Sequence, residues 1–282
     1  MQLKQKEFEK VFELIPYISE FHNTNSKFYK LFDEIIKNYF NSIDNEILEA
    51  YPFNNLLWPK VSLGNIDSYG YFTFSEMVHY CYYWNNRDTY KVVFDIGANI
   101  GIDTLILAKF GFDVYSFEPD PEVFSTMQYN IDLNKCKDIN LYCKGLSDKE
   151  DSLDFVRVKG NTASSHIAGE KEFYGEIDRF KIETVTFQSI GVIPDLMKIN
   201  IEGHEKTLIP TISKDIWEVC DAFIELHGLD CCEVAFDYFN SININIFSQK
   251  IGWRKVSSLE EMPLSYREGT IFVSSKDKMN WK

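Results

Sequence analysis

The chain lacks an excess of positive charge and a long apolar run. Its 282 residues include 29 Lys and Arg against 43 Asp and Glu, which gives a formal net charge of −14. Nucleic-acid binding depends on basic side chains that neutralise phosphates, so DNA and RNA are poor candidate partners. A membrane-spanning helix needs a run of ~18 or more apolar residues, and the sequence contains no such run. We therefore expect no membrane span and no nucleic-acid partner.

The cysteines show none of the spacings expected of a metal site, because no C-x-x-C pair occurs. The N-terminus is polar and has no apolar stretch typical of a signal peptide. We therefore expect a cytoplasmic protein with reduced thiols. The six cysteines are Cys81, Cys136, Cys143, Cys220, Cys231 and Cys232.

Two phosphate-binding motifs are also missing. Nothing of the form Gly-Lys-Ser/Thr occurs, which excludes the P-loop. The dinucleotide fingerprint G-x-G-x-x-G, counted from Gly97, would require glycine where Asn99 and Ile102 stand. The second of these glycines lets a pyrophosphate lie against the backbone. Asn99 therefore disfavours a dinucleotide, and with it the alternative of a nicotinamide dehydrogenase.

A buried strand that passes into a helix through a glycine turn is indicated by VVFDIGANIG at residues 92–101. Gly97 and Gly101 let the backbone approach a bound molecule, and the following helix presents free N–H groups there. Twenty-three positions after Asp95, the next apolar run ends in Glu118. A nucleoside-binding fold places a carboxylate for ribose hydroxyls at that distance. A nucleoside without phosphate fits this pattern, and S-adenosylmethionine is the common one.

The segment DIGANIG at residues 95–101 resembles the first motif of class I S-adenosylmethionine-dependent methyltransferases. Further segments with the sequences FEP, GLSD, NTASS and MKINIEGHE follow in order at 117–119, 145–148, 161–165 and 197–205. Their order and spacing resemble the FkbM family, whose members mostly methylate hydroxyls on sugars, glycans and secondary metabolites. The resemblance covers residues 76–230.

This resemblance implies a site for S-adenosylmethionine. Glu118 is expected to bind the ribose hydroxyls, and Ser147 and Asp148 to lie beside the adenine. Glu76 is expected near the methionine end of the cofactor. The family more often has aspartate where Asn200 stands, which weakens any role of that position as base or metal ligand. The full set of expected cofactor-binding residues is Glu76, Asp95, Gly97, Ala98, Asn99, Gly101, Glu118, Pro119, Ser147, Asp148 and Asn200.

Polar residues occur where a central strand should be apolar. Lys198, Asn200 and Glu202 alternate with apolar residues and so share one face of a predicted strand, and the next strand ends in Glu225 and His227. Burying these charges without partners is costly. We expect them to face a ligand, a cation or water at the carboxyl edge of the sheet. The alternative is a salt-bridge network that satisfies itself.

The predicted reaction is an in-line transfer of a methyl group to a hydroxyl oxygen. Positioning supplies much of the rate, and a nearby base assists by taking the hydroxyl proton. His227 is the first candidate base because histidine titrates in the useful range, and Glu225 is a further candidate. No metal is predicted, because H-E-x-x-H and an EF-hand loop are absent. A divalent ion held by Glu202, Glu225 and the histidines is the alternative. The expected catalytic residues are Glu202, His227, His204 and Lys198.

Strands that alternate with helices after residue 91 predict an α/β fold with a doubly wound, mostly parallel, seven-stranded Rossmann-like methyltransferase sheet. The last two strands are expected to form an antiparallel hairpin. The predicted strands are 91–96, 112–118, 139–145, 195–202, 221–227, 252–257 and 269–275, with short extra strands at 152–158 and 181–187. The predicted helices are 101–110, 121–133, 204–213 and 230–239.

The sequence pattern of residues 1–90 predicts a helical appendage to a methyltransferase domain at 91–282. Apolar stripes at helical spacing begin at Phe8 and at Phe28, and a third helix is expected at 75–84. The stripes pack on the domain or, as the alternative, against a second subunit in a homodimer. The segments 51–74 and 158–180 are expected to line the acceptor pocket.

The leading interpretation is an O-methyltransferase that acts on a small-molecule or glycan acceptor, such as a sugar hydroxyl. An N-methyltransferase of the same fold is one alternative, because the cofactor motifs do not read the acceptor. A catalytically silent methyltransferase fold that serves as a binding or assembly protein is another. Intact Gly97, Gly101 and Glu118 argue against the silent fold, which has no need of them.

Overall fold

An eight-stranded sheet with helices on both faces forms the centre of the computed structural model. No helix among the described residues has the length and apolar character that a bilayer crossing requires. The structure describes residues 5–42, 47–48, 56–59, 62–63, 66–137, 139–172 and 175–281.

The described part of the N-terminal region contains the three predicted helices and two short antiparallel pairs of strands. The hydroxyls of Ser26 and Thr73 accept hydrogen bonds from the first turns of the second and third helices and cap them. Part of the expected 51–74 segment lies outside the described residues. The elements are α1 (Gln5–Leu14), α2 (Lys27–Asn41), the antiparallel pair β1 (Ile47–Leu48) and β2 (Trp58–Pro59), the antiparallel pair β3 (Ser62–Leu63) and β4 (Ile66–Asp67), and α3 (Phe74–Asn85).

The first half of the main sheet follows the prediction closely. Its three strands run parallel, with the first strand paired to the second and the second to the third. Asp120 caps the helix Pro121–Asn134 by accepting hydrogen bonds from the backbone N–H groups of Glu122 and Val123. The elements are β5 (Val92–Ile96), α4 (Ile102–Lys109), β6 (Asp113–Phe117), α5 (Pro121–Asn134) and β7 (Ile139–Tyr142).

A separate four-stranded sheet is inserted before the chain returns to the main sheet. The predicted strand 139–145 is wrong in extent, because the chain leaves the main sheet at Tyr142 and enters this second sheet at Gly145. The two predicted extra strands are confirmed, and the second of them begins earlier, at Ile177. The elements are β8 (Gly145–Ser147), β9 (Ser152–Val158), β10 (His166–Ile167) and β11 (Ile177–Thr186).

The second half of the main sheet begins with two further parallel strands. The predicted helix 204–213 is broken, because Pro210 lacks the N–H that an α-helix needs and lies in a 3₁₀ turn, Ile209–Thr211. The elements are β12 (Leu196–Ile199), α6 (Glu205–Leu208), α7 (Lys214–Trp217), β13 (Asp221–Ile224), α8 (Leu229–Ser241), β14 (Asn245–Ser248), β15 (Arg254–Lys255) and β16 (Ile271–Ser274).

The strand order in the main sheet is β15-β14-β16-β13-β12-β5-β6-β7. The predicted hairpin between 252–257 and 269–275 is wrong. β16 instead runs antiparallel between β13 and β14, and β15 pairs with β14 at the edge of the sheet. The sequence analysis missed β14 because its short apolar run continues the pattern of α8, and periodicity does not separate such runs from a helix.

Two cores lie on opposite faces of the sheet. Val93 of β5 packs with the N-terminal helices and α4 and α5, whereas Phe94 packs with the helices of the C-terminal half. The stripe of α1 that begins at Phe8 is buried within the chain, while Phe28 and Leu31 of α2 are about half exposed. The N-terminal helices therefore share a core with the sheet. The division at residue 90 and a homodimer through these helices stay predictions.

Candidate active site

A cavity of about 660 Å³ opens at the carboxyl edge of the parallel strands. The ends of β5, β6, β12 and β13 line it, together with α3 and the segment between β9 and β11. Asp95, Gly101, Ser147 and Asp148 are not part of its lining. The predicted site residues that do line it are Glu76, Gly97, Ala98, Asn99, Glu118, Pro119, Lys198, Asn200, Glu202, His204 and His227.

The turn after β5 has room for glycine alone at its first position. Gly97 has a φ of +80°, and a Cβ there would lie 1.8 Å from the carbonyl oxygen of Asn200. Gly101, with a φ of +85°, precedes α4, and a Cβ there would lie 2.7 Å from Cγ of Met127. Both glycines are therefore required by packing as well as by backbone conformation.

Glu118 lies at the end of β6 and is 7% exposed. Its Oε2 accepts a hydrogen bond from the backbone N–H of Asn99 at 2.9 Å, and its Oε1 accepts one from that of Asp120 at 2.8 Å. Burial raises the pKa of Glu118 to about 7, although these two N–H groups act in the opposite direction. The two oxygens of a carboxylate offer about four acceptor positions, so Glu118 retains capacity for ligand hydroxyls.

Lys198 of β12 is occupied by three oxygens of the protein. Its Nζ donates to the carbonyl oxygen of Gly97 at 2.9 Å and lies 3.2 Å from Oδ1 of Asp95 and 3.5 Å from Oδ2 of Asp103. Burial lowers the pKa of Lys198, but the neighbouring carboxylates outweigh it and raise the pKa above its usual range. Asp95 is fully buried and also accepts a hydrogen bond from Thr104 at 2.6 Å. The two side chains thus hold the turn in place.

An acidic wall, formed by Glu76, Asp95 and Asp103 around Lys198, lies beside this turn. Burial raises the pKa of Asp103 to about 7, and the carboxylates of Glu76 and Asp95 add to the effect of burial. Three acidic side chains face one ammonium group, and a cationic ligand group would favour their ionised forms. The sequence analysis missed Asp103, because an acid in the first turn of a helix is common for electrostatic reasons alone.

His227 lies among three carboxylates at the other end of the cavity. Its Nε2 lies 3.2 Å from Oε1 of Glu202 and 3.3 Å from Oε1 of Glu225, and its Nδ1 lies 3.3 Å from Oε1 of Glu205. Burial lowers the pKa of His227, but the hydrogen bonds to these carboxylates outweigh it and raise the pKa to about 12. These contacts favour the protonated imidazole, which opposes a role of His227 as base. That role stays a prediction.

Glu205 anchors this cluster and was missed by the sequence analysis, because it lies at the start of a predicted helix. It is fully buried, and its carboxylate accepts hydrogen bonds from the backbone N–H groups of Ile201 and Gly203 at 2.9 Å each.

The predicted strand 195–202 is shorter than expected, since β12 ends at Ile199. Glu202 follows with a left-handed φ of +56°.

His204 connects the two sheets. Its Nδ1 lies 2.7 Å from Oε1 of Glu170, and its Nε2 lies 2.9 Å from Oγ of Ser147. Ser147 is fully buried and also donates to Asp148 at 3.0 Å. Both ring nitrogens of His204 thus have protein partners. A position of Ser147 and Asp148 beside an adenine stays a prediction, and Leu146 lines the cavity next to them.

The segment between β9 and β11 lines the cavity, as we expected of 158–180. Two ion pairs hold it there: Lys171 Nζ bonds to Oε2 of Glu202, and Lys206 Nζ lies 3.1 Å from Oε2 of Glu170. The sequence analysis missed Lys171 and Glu170, because a charged residue in a polar loop carries no local signal. Thr162 and Ser164 of this segment, with Tyr71, add hydroxyls to the lining.

Comparison with known proteins gives a match to the Methyltransferase FkbM domain over residues 95–246, which is 152 of 282 residues. The chain is 25% identical over 158 residues to Hexuronic acid methyltransferase AglP of Haloferax volcanii, covering 51% of this chain and 59% of that protein. It is 22% identical over 171 residues to Methyltransferase 1 of Beauveria bassiana, covering 52% of this chain and 66% of that protein. The chain thus spans less than two thirds of these relatives.

The solved structures that match this chain include an rRNA methylase from Streptococcus thermophilus. It has a TM-score of 0.43 and 11% identity, and the match covers 73% of this chain and 97% of that chain. An S-adenosylmethionine-dependent methyltransferase from Agrobacterium tumefaciens has a TM-score of 0.40 and 10% identity, with 73% of this chain and 63% of that chain covered.

Proposed function

Because this chain belongs to the FkbM methyltransferase domain family, we propose that it is an S-adenosylmethionine-dependent O-methyltransferase that acts on a sugar, glycan or related hydroxyl compound. The observation that carries the proposal is a single cavity with a buried carboxylate, Glu118, an acidic wall at its side and hydroxyl-lined space beyond. The relative that modifies hexuronic acid supports a sugar acceptor.

The turn after β5 supports a nucleoside and argues against a dinucleotide. A dinucleotide fold directs the N–H groups of this turn at a pyrophosphate. Here the N–H of Asn99 donates to Glu118 at 2.9 Å, and the N–H of Ile100 donates to Oδ1 of Asn99 at 2.7 Å. Both donors are occupied within the protein. Glu118 would instead accept hydrogen bonds from the ribose hydroxyls.

The acidic wall supports the methionine end of the cofactor. When bound, S-adenosylmethionine supplies a methyl group on a positively charged sulfur, and its methionine end also carries an ammonium group and a carboxylate. Glu76 and Asp103 line the cavity and would attract these positive charges, since Lys198 neutralises only part of the wall. Lys198 would act by holding the carbonyl of Gly97, and through it the turn, rather than by touching the acceptor.

The opposite end of the cavity supports an acceptor rich in hydroxyls. Tyr71, Thr162 and Ser164 offer hydroxyls there, and Glu202 and Glu225 offer carboxylate oxygens. These carboxylates would orient the attacking hydroxyl by accepting its hydrogen bond. Positioning of this kind supplies a large part of the rate when the methyl donor is already reactive.

Calorimetric titration with S-adenosylhomocysteine tests the cofactor site. We expect binding to the wild-type protein and binding weakened at least tenfold in Glu118→Gln, because the amide loses the charge that strengthens hydrogen bonds from the ribose. Glu150→Gln, an exposed carboxylate in the turn after β8, is the matched control and should bind normally. Absence of binding to the wild-type protein would favour the catalytically silent fold.

A methyl-transfer assay tests the acceptor. A panel of sugar nucleotides, glycans, uronic acids and amines is incubated with S-adenosylmethionine carrying a deuterated methyl group, and the methylated atom is located by NMR. We expect the label on the oxygen of a sugar compound. A label on nitrogen would establish the N-methyltransferase alternative.

A further inference from the structure

We propose that Glu202, Glu225 and His227 form a binding site for a divalent cation, and that the cation holds two neighbouring oxygens of the acceptor. The cation site stands on the geometry of these three side chains. The role of the cation toward the acceptor rests on the proposed function.

The three side chains present one ligand atom each at suitable spacing. Oε1 of Glu202 and Oε1 of Glu225 lie 3.2 Å and 3.3 Å from Nε2 of His227, and all three atoms lie within 4.8 Å of one another. Neighbouring ligands of an octahedral Mg²⁺ or Mn²⁺ ion lie about 3 Å apart, since each is about 2.1 Å from the ion. Small side-chain shifts would therefore let all three atoms share one ion.

The second polar atoms of Glu202 and His227 already have protein partners, which leaves Oε1 of Glu202 and Nε2 of His227 for an ion. Oε2 of Glu202 bonds to Lys171, and Nδ1 of His227 lies 3.3 Å from the buried carboxylate of Glu205. Metal-binding histidines nearly always have such a carboxylate or carbonyl partner on the second ring nitrogen. Glu205 is itself fixed by the backbone of Ile201 and Gly203. The support that a metal site requires is thus in place.

The side chains of this cluster do not carry enough hydrogens to join all three ligand atoms by hydrogen bonds. Nε2 of His227 carries at most one hydrogen, which cannot point at both carboxylates together, whereas a cation between the three atoms would bind all of them. The side chains of Glu202, Glu225 and His227 are only 15%, 18% and 10% exposed, so little water reaches them. Oδ1 of Asn200, in the lining of the same cavity, is buried and has no hydrogen-bond partner among the described residues. This oxygen can accept a hydrogen bond from a ligand in the cavity.

Two carboxylates and one imidazole favour Mg²⁺ or Mn²⁺ over the softer metals that thiolates select. Three protein ligands leave coordination positions open toward the cavity. An acceptor with two adjacent oxygens, such as a vicinal diol or a hydroxyl beside a carboxylate, would fill two of them. A hydroxyl bound in this way loses its proton to water more readily. His227 would bind the ion as a neutral imidazole, with its Nε2 proton released to solvent and its remaining proton on Nδ1, which faces Glu205 at 3.3 Å.

Metal binding is measured on EDTA-treated, dialysed protein by titration with Mn²⁺, followed by the EPR signal of free Mn²⁺ and by calorimetry. We expect one Mn²⁺ per chain, and affinity at least tenfold weaker in Glu225→Gln and in His227→Asn. Glu233→Gln, an exposed carboxylate on α8, is the control and should bind as the wild type does. Thermal melting of each variant verifies that it is folded, and Glu202→Gln replaces any variant that is not.

No stoichiometric Mn²⁺ binding to the wild type overturns the site, even if S-adenosylhomocysteine binds. Undiminished binding to two folded variants overturns it as well, because the ion then lies elsewhere. Mn²⁺ binding without S-adenosylhomocysteine binding supports the site and removes the proposed function. If methyl transfer proceeds at full rate in EDTA, the role of the cation toward the acceptor is overturned.

Discussion

The two ends of the cavity are built in different ways. At the end proposed for the cofactor, backbone N–H groups of the turn after β5 donate to Phe117 and to the carboxylate of Glu118, and the buried pair of Lys198 and Asp95 supports the turn. At the acceptor end, side-chain ion pairs join Lys171 of the inserted segment to Glu202, and Glu202 to His227. The first end is thus fixed mainly by backbone groups and by one fully buried carboxylate. The second depends on charged side chains, whose contacts a ligand, a cation or a substitution can rearrange.

The largest effect is expected from Lys198→Met, which removes the ammonium group of Lys198 from the cofactor end. Asp95 would remain fully buried without its charged partner. We expect the free energy of unfolding to fall by about 3–5 kcal/mol, measured by urea denaturation.

Lys206→Met is the comparison for this variant, because Lys206 is 28% exposed and pairs with Glu170 and Asp230 near the surface. Its loss should cost less than about 1 kcal/mol. Equal losses in the two variants would contradict the structural role given to Lys198.

Gly97→Ala should break the cofactor end by sterics alone. The added Cβ would lie 1.8 Å from the carbonyl oxygen of Asn200, so the backbone has to move. We expect a loss of about 2–3 kcal/mol in unfolding free energy and no measurable binding of S-adenosylhomocysteine.

Gly111→Ala separates backbone strain from crowding. Gly111 has a similar φ of +96°, but a Cβ there meets nothing within 4 Å. Its substitution should cost about 1 kcal/mol and leave binding intact. If Gly97→Ala lost no more stability than Gly111→Ala and still bound the ligand, Gly97 could not lie as close to the carbonyl oxygen of Asn200 as described.

The pH dependence of binding sharpens the role assigned to Glu118. Burial raises its pKa from 4.5 to about 7, so its contribution to the free energy of unfolding declines as pH rises between these values. Ribose hydroxyls bind the ionised form better. Affinity for S-adenosylhomocysteine should therefore fall by up to about tenfold between pH 8 and pH 6, by calorimetry. An affinity that does not change with pH, both in the wild type and in Glu118→Gln, would contradict this role.

The smallest effect is expected from Lys171→Met at the acceptor end. Loss of its bond to Glu202 should raise KM for the acceptor about fivefold, the equivalent of roughly 1 kcal/mol. The affinity for S-adenosylhomocysteine should stay within about twofold of the wild-type value. Lys181→Met, which removes an exposed pair with Asp154, should change neither quantity. If Lys171→Met changed the affinity for S-adenosylhomocysteine more than it changed KM, the assignment of Lys171 to the acceptor end would be contradicted.

The same distinction explains what the sequence could predict. The cofactor end lies in short segments, so the spacing from Asp95 to Glu118 was enough to place both on adjacent strands. The acceptor end assembles residues that are distant along the chain. The partners of Glu202 and His204, which are Lys171 and Glu170, lie in a loop without periodicity. No local pattern distinguishes them from solvated charges.

Several features of the fold also escaped the sequence for physical reasons. β14 is a four-residue strand that follows α8 closely, and its apolar pattern is compatible with either element. His227 was expected to be a base because its residue type titrates near neutrality. Its real environment is set by three carboxylates, of which Glu205 lies in another element. Residue type gives the ordinary pKa, and only tertiary contacts give the shift.

A crystal structure with bound S-adenosylhomocysteine decides whether this cavity holds the cofactor as described. We predict the ribose hydroxyls within hydrogen-bonding distance of Glu118 and the ammonium group beside Glu76 and Asp103. Ligand density elsewhere, with the carboxylate of Glu118 in contact only with Asn99, Asp120 and water, would contradict the assignment.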